Sequence, residues 1–392
     1  MTASLRLTSI DMLRGLVIVL MALDHTRDFF GPALFDPEDL AATTPAWYWT
    51  RWITHLCATV FVFLAGASAW LRGAKAGQAG DARPALSRYL ATRGLLLLVL
   101  EATWISFSWQ FGYNVIILQV IWAIGMGMVV LAALVWLPRW GIALIAALLI
   151  CCHNALDGWH PGGLLWQALH ERGYHPVSDS FGIVFAYPLL PWLGLMAAGY
   201  ATGPLFGPGV PAARRQRQLW LAAAALMLAF VLLRSVNLYG DPGPWSAQGR
   251  GWMLDLMSFV RVHKYPPSLQ YLLVTGSIGL ALLAMFERIF DRADAPAGEQ
   301  VRPLAWLQLF GRTPMFFYTV HIALIHLLGN LYFDLRFGGT PDFNGPTPRM
   351  PAGYEPSLPA VYLAWVCMLL IMYALTRLWL RWRKPAAPAN GN

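Results

Sequence analysis

The chain is divided into a succession of apolar runs about 20 residues long, the length a helix needs to cross the hydrocarbon of a bilayer. They fall near 10–29, 54–72, 90–110, 115–137, 140–156, 182–203, 218–237, 268–287, 313–332 and 359–380. Composition leaves little room for a soluble alternative, because 57% of the residues are hydrophobic and only 12% charged, more apolar surface than a soluble fold buries. The expected fold is an all-α polytopic membrane protein of about ten transmembrane helices. A single transmembrane domain over 1–384 would end in a disordered tail, 385–392.

The formal charge of +8 does not mark a nucleic-acid partner, because the basic residues sit in short clusters between the runs. One alternating set of connections holds Arg72, Lys75, Arg83, Arg88 and Arg93, then Arg139, then Arg214, Arg215 and Arg217, then Arg288, Arg292 and Arg302. The C-terminal end adds Arg377, Arg381, Arg383 and Lys384. The Lys/Arg bias puts this set and both termini in the cytoplasm. Longer connections around 30–53, 157–181, 238–267 and 333–358 then face outward. Cys57, Cys151, Cys152 and Cys367 lie in or beside apolar runs and read as packing residues, and no metal is expected. The first run contains Asp11 and Arg14 and lacks a small-residue cleavage site, so it reads as the first span and not as a signal peptide.

That first run, SIDMLRGLVIVLMALDHTRDFF, carries an unusual load of ionisable groups. Asp11, Arg14, Ile18, Met21, His25 and Asp28 are three or four residues apart, so they form one stripe along a helix. Ionisable residues in a span normally face the bundle interior or a wet cavity, where they mark a pathway or a site. Eleven residues of helical rise separate Arg14 and His25 by roughly 16 Å, about half the hydrocarbon core.

The stretch Ser9 to Met21 fits S-x-D-x-x-R-G-x-x-x-x-x-M and resembles the first core helix of the heparan-α-glucosaminide N-acetyltransferase family and its bacterial relatives. The Arg14-x10-His25 spacing is similar to that of the wider group of membrane sugar O-acyltransferases. Four further stretches carry the resemblance along the chain: HLCATVFVFLAG (His55 to Gly66), FGIVFAYPLLPWLGLMAAGY (Phe181 to Tyr200), KYPPSLQYLL (Lys264 to Leu273) and GRTPMFFYTVHIALIH (Gly311 to His326). The resemblance implies transfer of an acetyl group from cytoplasmic acetyl-CoA to a sugar or glycan on the far side. Two positions depart from the family. The lysosomal enzymes have Asn at the position of His25, and their catalytic His lies in the outer loop before the second core helix. The corresponding segment here, Gly31 to Thr54, has no histidine, and His55 stands where those enzymes carry Asp.

Acyl transfer from a thioester needs a general base, donors for the developing oxyanion and an anchor for the CoA phosphates. His25, His55 and His321 are the candidate bases, with His25 and His55 at the outward ends of adjacent spans. His321 and His326 are five residues apart on one helix and cannot both face one site. Gly311-Arg312-Thr313-Pro314 reads as a break, an N-cap Thr and a Pro at the first helical position, an anion-binding helix start. Arg14, Arg93, Arg312 and Thr313 are therefore the expected CoA site. Glu101, in the middle of a span, is expected to face the cavity, with an Arg as its natural partner. Asp24, Asp28, Glu101, Lys264 and Ser268 are the candidate acceptor-side groups, Lys264 and Ser268 flanking a Pro-Pro at a helix start. Trp47, Trp49, Trp52, Trp159 and Trp252 suit an interfacial belt.

A proton-coupled transporter or flippase is the alternative, since buried Asp, Glu, His and Arg also build proton relays. A two-haem membrane cytochrome lacks support, because no regular histidine spacing within a helix occurs. Monomer and homodimer are both compatible with the sequence.

Overall fold

The computed structural model describes residues 7–77, 82–291, 304–342 and 349–383. The expected tail 385–392, Lys384, Arg292 and Arg302 lie outside the described residues. In chain order the helices are α1 (Thr8–Phe30), α2 (Pro45–Trp52), α3 (Leu56–Gly77), α4 (Ala82–Leu100), α5 (Ser106–Gln110), α6 (Val120–Leu134), α7 (Arg139–Cys152) and α8 (Leu164–Leu169). They continue as α9 (Leu189–Thr202), α10 (Ala212–Val236), α11 (Trp252–Val260), α12 (Leu269–Phe290), α13 (Ala305–Arg312), α14 (Pro314–Phe337) and α15 (Leu358–Arg383). Eight helical segments among the described residues are long and apolar enough to cross a membrane. The chain is an all-α polytopic membrane protein, and each of the ten apolar runs contains a helix, the helices at Val120–Leu134, Arg139–Cys152 and Leu189–Thr202 being shorter than the run that predicts them.

Two runs begin later as helices than expected. The runs at 115–137 and 182–203 open as strands, β1 (Val115–Leu118) and β3 (Phe181–Phe185), which pair in parallel, while β2 (Gly173–Ser178) runs antiparallel to β3. The segments VIIL and FGIVF are β-branched and aromatic, and a short continuous apolar run has no period that separates a buried strand from a helix. The helices then start at Val120 and Leu189.

Helix α1 packs against α3, α12, α13, α14 and α15, so its own polar stripe is enclosed by protein. Its first N–H groups, on Thr8 and Ser9, donate to the two carboxylate oxygens of Asp291 at 2.8 and 2.9 Å, a cap supplied from the end of α12. At the crossing with α13 the backbones touch. A Cβ on Gly15 would lie 2.0 Å from the Leu307 carbonyl, and one on Gly311 would lie 1.8 Å from that of Asp11. Helix association in lipid depends on such close approach between small residues. This crossing fixes Arg14 and Asp11 against the start of α14. Of the cysteines only Cys57 is buried, whereas Cys151, Cys152 and Cys367 lie on the outer surface of the bundle, contrary to the packing role expected of them.

Candidate active site

The α1 stripe meets a second stripe on α14. Pro314, Tyr318 and His321 are three or four residues apart and share one face of α14; Pro314 and Tyr318 line the same cavity as Arg14 and Met21, and His321 meets His25. His25 Nδ1 lies 2.9 Å from His321 Nε2. His321 Nδ1 lies 2.9 Å from the carbonyls of both Phe317 and Tyr318, which can only accept, so this nitrogen carries the proton and donates. His321 Nε2 is then an acceptor, and His25 Nδ1–H donates to it. The network therefore assigns His25 the tautomer whose Nε2 has a free lone pair. Trp109 packs edge-on against the His25 ring with centroids 5.1 Å apart. The helical turn that aims Trp109 follows a wider π turn at Glu101–Ile105.

Beside His25 lies a cluster of charges. Asp24 accepts from Arg51 Nη1 at 3.0 Å on each carboxylate oxygen and forms ion pairs with Arg27 Nη1 at 2.9 Å and Lys264 Nζ at 4.0 Å. Arg27 also donates to Asp28 at 2.7 Å. Glu38 is 3.0 Å from His55 Nε2 and 3.9 Å from Arg51 Nε. Burial by itself would raise the Glu38 carboxyl, but the facing His55 and Arg51 hold it down at about 2. His55 therefore takes Glu38 as its partner and His25 takes His321, so the two histidines at the outward ends of adjacent spans form separate pairs. Arg27, Arg51 and Glu38 were not anticipated from the sequence. Arg51 had a signal: it is the sole Lys or Arg between 31 and 53, and a carboxylate in a span needs a counter-charge.

Two cavities approach this centre. One, of about 550 Å³, is lined by Arg14, Met21, Tyr89, Arg93, Leu100 and Tyr318 among others, with arginines at one end and apolar side chains beyond. Arg14 within it donates to the Gly311 carbonyl at 3.3 Å and to Ser68 Oγ at 3.3 Å. The other, of about 730 Å³, is polar and formed by the connections at the opposite end, with Glu38, Arg51, Arg172, Arg261, Lys264 and Tyr265 in its wall. Met21, one turn before His25, belongs to the first cavity. Arg51 and Lys264, which hold Asp24, belong to the second.

Several expected site residues are engaged elsewhere. Arg312 does not line the first cavity. Its side chain is 52% exposed and lies 3.5 Å from Asp11, the carboxylate that also meets Arg14 at 3.5 Å. Thr313 does precede Pro314 at the start of α14, but its hydroxyl donates to the Leu309 carbonyl at 2.9 Å and makes no cap bond. Ser268 caps α12 by accepting from Tyr271 N at 3.0 Å and donates to Asp241 at 2.6 Å. Glu101 accepts from the Gln119 N–H at 2.5 Å, just before α6, so its partner is a helix N-terminus and not an arginine. His326 lies stacked between Phe29 and Phe111. His153 and His170 bond to Pro267 O and Asp157 at 2.9 and 3.0 Å.

No curated protein matches the chain. The family model described as heparan-alpha-glucosaminide N-acetyltransferase, catalytic, matches residues 6–239, more than half of the 392 residues. The matched segment contains Arg14, His25, His55, Arg93 and Glu101 and stops before Lys264 and His321, which join the site through the fold. The chain therefore belongs to the heparan-alpha-glucosaminide N-acetyltransferase family.

Proposed function

We propose that the protein transfers an acetyl group from cytoplasmic acetyl-CoA to a sugar or glycan on the outer side of the membrane, with His25 as general base. The observation that carries this reading is the His25–His321 pair, 2.9 Å apart, whose tautomers leave His25 Nε2 able to accept a proton. The arginine-ended cavity suits the donor: Arg14 and Arg93 would hold phosphates and the apolar stretch would take the pantetheine arm. The polar cavity suits a hydroxyl-rich acceptor.

The reaction follows from the arrangement. His25 Nε2 removes the proton from the acceptor's amino or hydroxyl group as that atom forms a bond to the thioester carbon. The C–S bond breaks when the tetrahedral adduct collapses, and the imidazolium returns the proton to the CoA thiolate. His321 and Asp24 act on the ring indirectly. The first fixes its orientation, and the second places a compensated negative charge beside it.

The Lys/Arg distribution supports cytoplasmic termini and an outer 157–181 connection. In a cysteine-free background, Ser178→Cys should react with an impermeant thiol reagent in intact cells, and labelling after lysis alone would invert the topology. The purified protein should release CoA from acetyl-CoA when given glucosamine as a test acceptor. His25→Ala should slow this by about 10²–10⁴-fold while retaining acetyl-CoA binding. Full activity in His25→Ala with loss in His55→Ala would move the base to the Glu38 pair. Proton-driven solute uptake without acetyl-CoA turnover would favour the transport alternative.

A further inference from the structure

The channel contains one buried group that the reaction as drawn does not use. Tyr318 is 5% exposed and lines the channel, yet its hydroxyl has no hydrogen-bond partner among the described residues. A buried hydroxyl without a partner is unfavourable, so a native site that keeps one commonly has a ligand to receive it. The backbone around it is well held. The Tyr318 carbonyl accepts from His321 Nδ1 at 2.9 Å, and the two rings lie 5.5 Å apart between centroids. Tyr318 is thus positioned by the same histidine that orients His25. Arg14, Tyr89 and Arg93, the other polar groups of the wall, are more than one turn before Met21 and Leu100, so Tyr318 is the hydroxyl beside the apolar end nearest His25.

We propose that the Tyr318 hydroxyl donates a hydrogen bond to the thioester oxygen of the donor and stabilises the oxyanion that forms on it. The inference rests on the acetyl-transfer reading above. As the acceptor attacks, the carbonyl π electrons move onto oxygen, the Tyr318 O–H bond stays intact and its hydrogen bond strengthens. When the adduct collapses the oxygen electrons re-form C=O, the C–S bond breaks, and His25 delivers the proton to sulfur. Tyr318 gains and loses nothing, as expected of a preorganised donor.

The test is Tyr318→Phe in the full-length protein, with acetyl-CoA as donor and glucosamine as the test acceptor, alongside calorimetric binding of acetyl-CoA and of CoA. The expected result is a fall in kcat of about 100-fold, a KM for acetyl-CoA changed by less than about threefold, and loss of any preference for acetyl-CoA over CoA. Because the hydroxyl is unbonded in the free protein, the melting temperature should stay level or rise. A kcat within threefold of wild type would overturn the inference, as would a lowered melting temperature with acetyl-CoA and CoA binding lost in parallel. Absence of acetyl-CoA binding by the wild-type protein would instead sink the transferase reading itself.

Discussion

The His25–His321 contact offers the sharpest test of the proposed chemistry, through His321→Ala. In the resting protein the bond joins two neutral rings, His25 Nδ1–H donating to His321 Nε2 at 2.9 Å. When His25 takes the acceptor's proton it becomes an imidazolium, and the same bond becomes charge-assisted. Such bonds contribute about 1.5–3 kcal/mol. At 1.4 kcal/mol per factor of ten, its loss should lower kcat by roughly 10- to 150-fold. Acetyl-CoA binding should change little, because His321 is not in the wall of the arginine-ended channel. His321→Gln returns an acceptor oxygen near the same place and should recover part of the rate. The assay is steady-state release of CoA with glucosamine as acceptor, with melting temperatures to separate loss of fold, since His321 is fully buried. Because His321 acts through His25, the double variant His25→Ala/His321→Ala should be no slower than His25→Ala. An unchanged kcat in His321→Ala, or a double variant ten times slower than the His25 single, would refute the positioning role.

Three further outcomes are expected. Arg14→Ala should weaken CoA binding by about 1.5–3 kcal/mol, whereas Arg312→Ala, with its side chain 52% exposed, should cost under about 1 kcal/mol; calorimetry giving the opposite order would move the phosphate site onto Arg312. Arg51→Met leaves Asp24 with fewer counter-charges and should destabilise the protein by about 3 kcal/mol, while adding Asp24→Asn should recover about 1 kcal/mol or more. Strictly additive losses in melting experiments would show that the two residues are not coupled. The Glu38 carboxyl, lowered from 4.5 to about 2, stabilises the native state fully above pH 4.5, and this contribution is lost as the pH falls towards 2. The amount at neutral pH is about 3 kcal/mol. Glu38→Gln should therefore flatten the acid limb of the melting temperature against pH, and an unchanged limb would show that Glu38 is not held by His55 and Arg51.

The membrane fold was readable from the chain because hydrocarbon thickness sets the length of an apolar run, and each of the ten runs does contain a helix, eight helical segments among the described residues being long and apolar enough to cross a membrane. The polar face of α1 was readable for a similar reason: steps of three and four residues put Arg14, Met21 and His25 on one side in any α-helix. What lies opposite that face was not readable. His25 meets His321 across 296 positions, Arg51 reaches Asp24 across 27, and Tyr271 donates to the His55 carbonyl across 216. Such pairings depend on which helices pack together, and α1 meets α13 only because Gly15 and Gly311 let two backbones touch. The same limit applies to single polar groups. Thr313, Ser268 and Glu101 were chosen as polar groups awaiting a ligand, but a hydroxyl or carboxylate bonds whatever donor or acceptor packing brings to it. The structure brings them the Leu309 carbonyl, the start of α12 and the Gln119 N–H. Sequence determined which residues are costly to leave alone in a bilayer, and tertiary structure decided which were satisfied by the protein and which, like the Tyr318 hydroxyl, were left without a hydrogen-bond partner among the described residues.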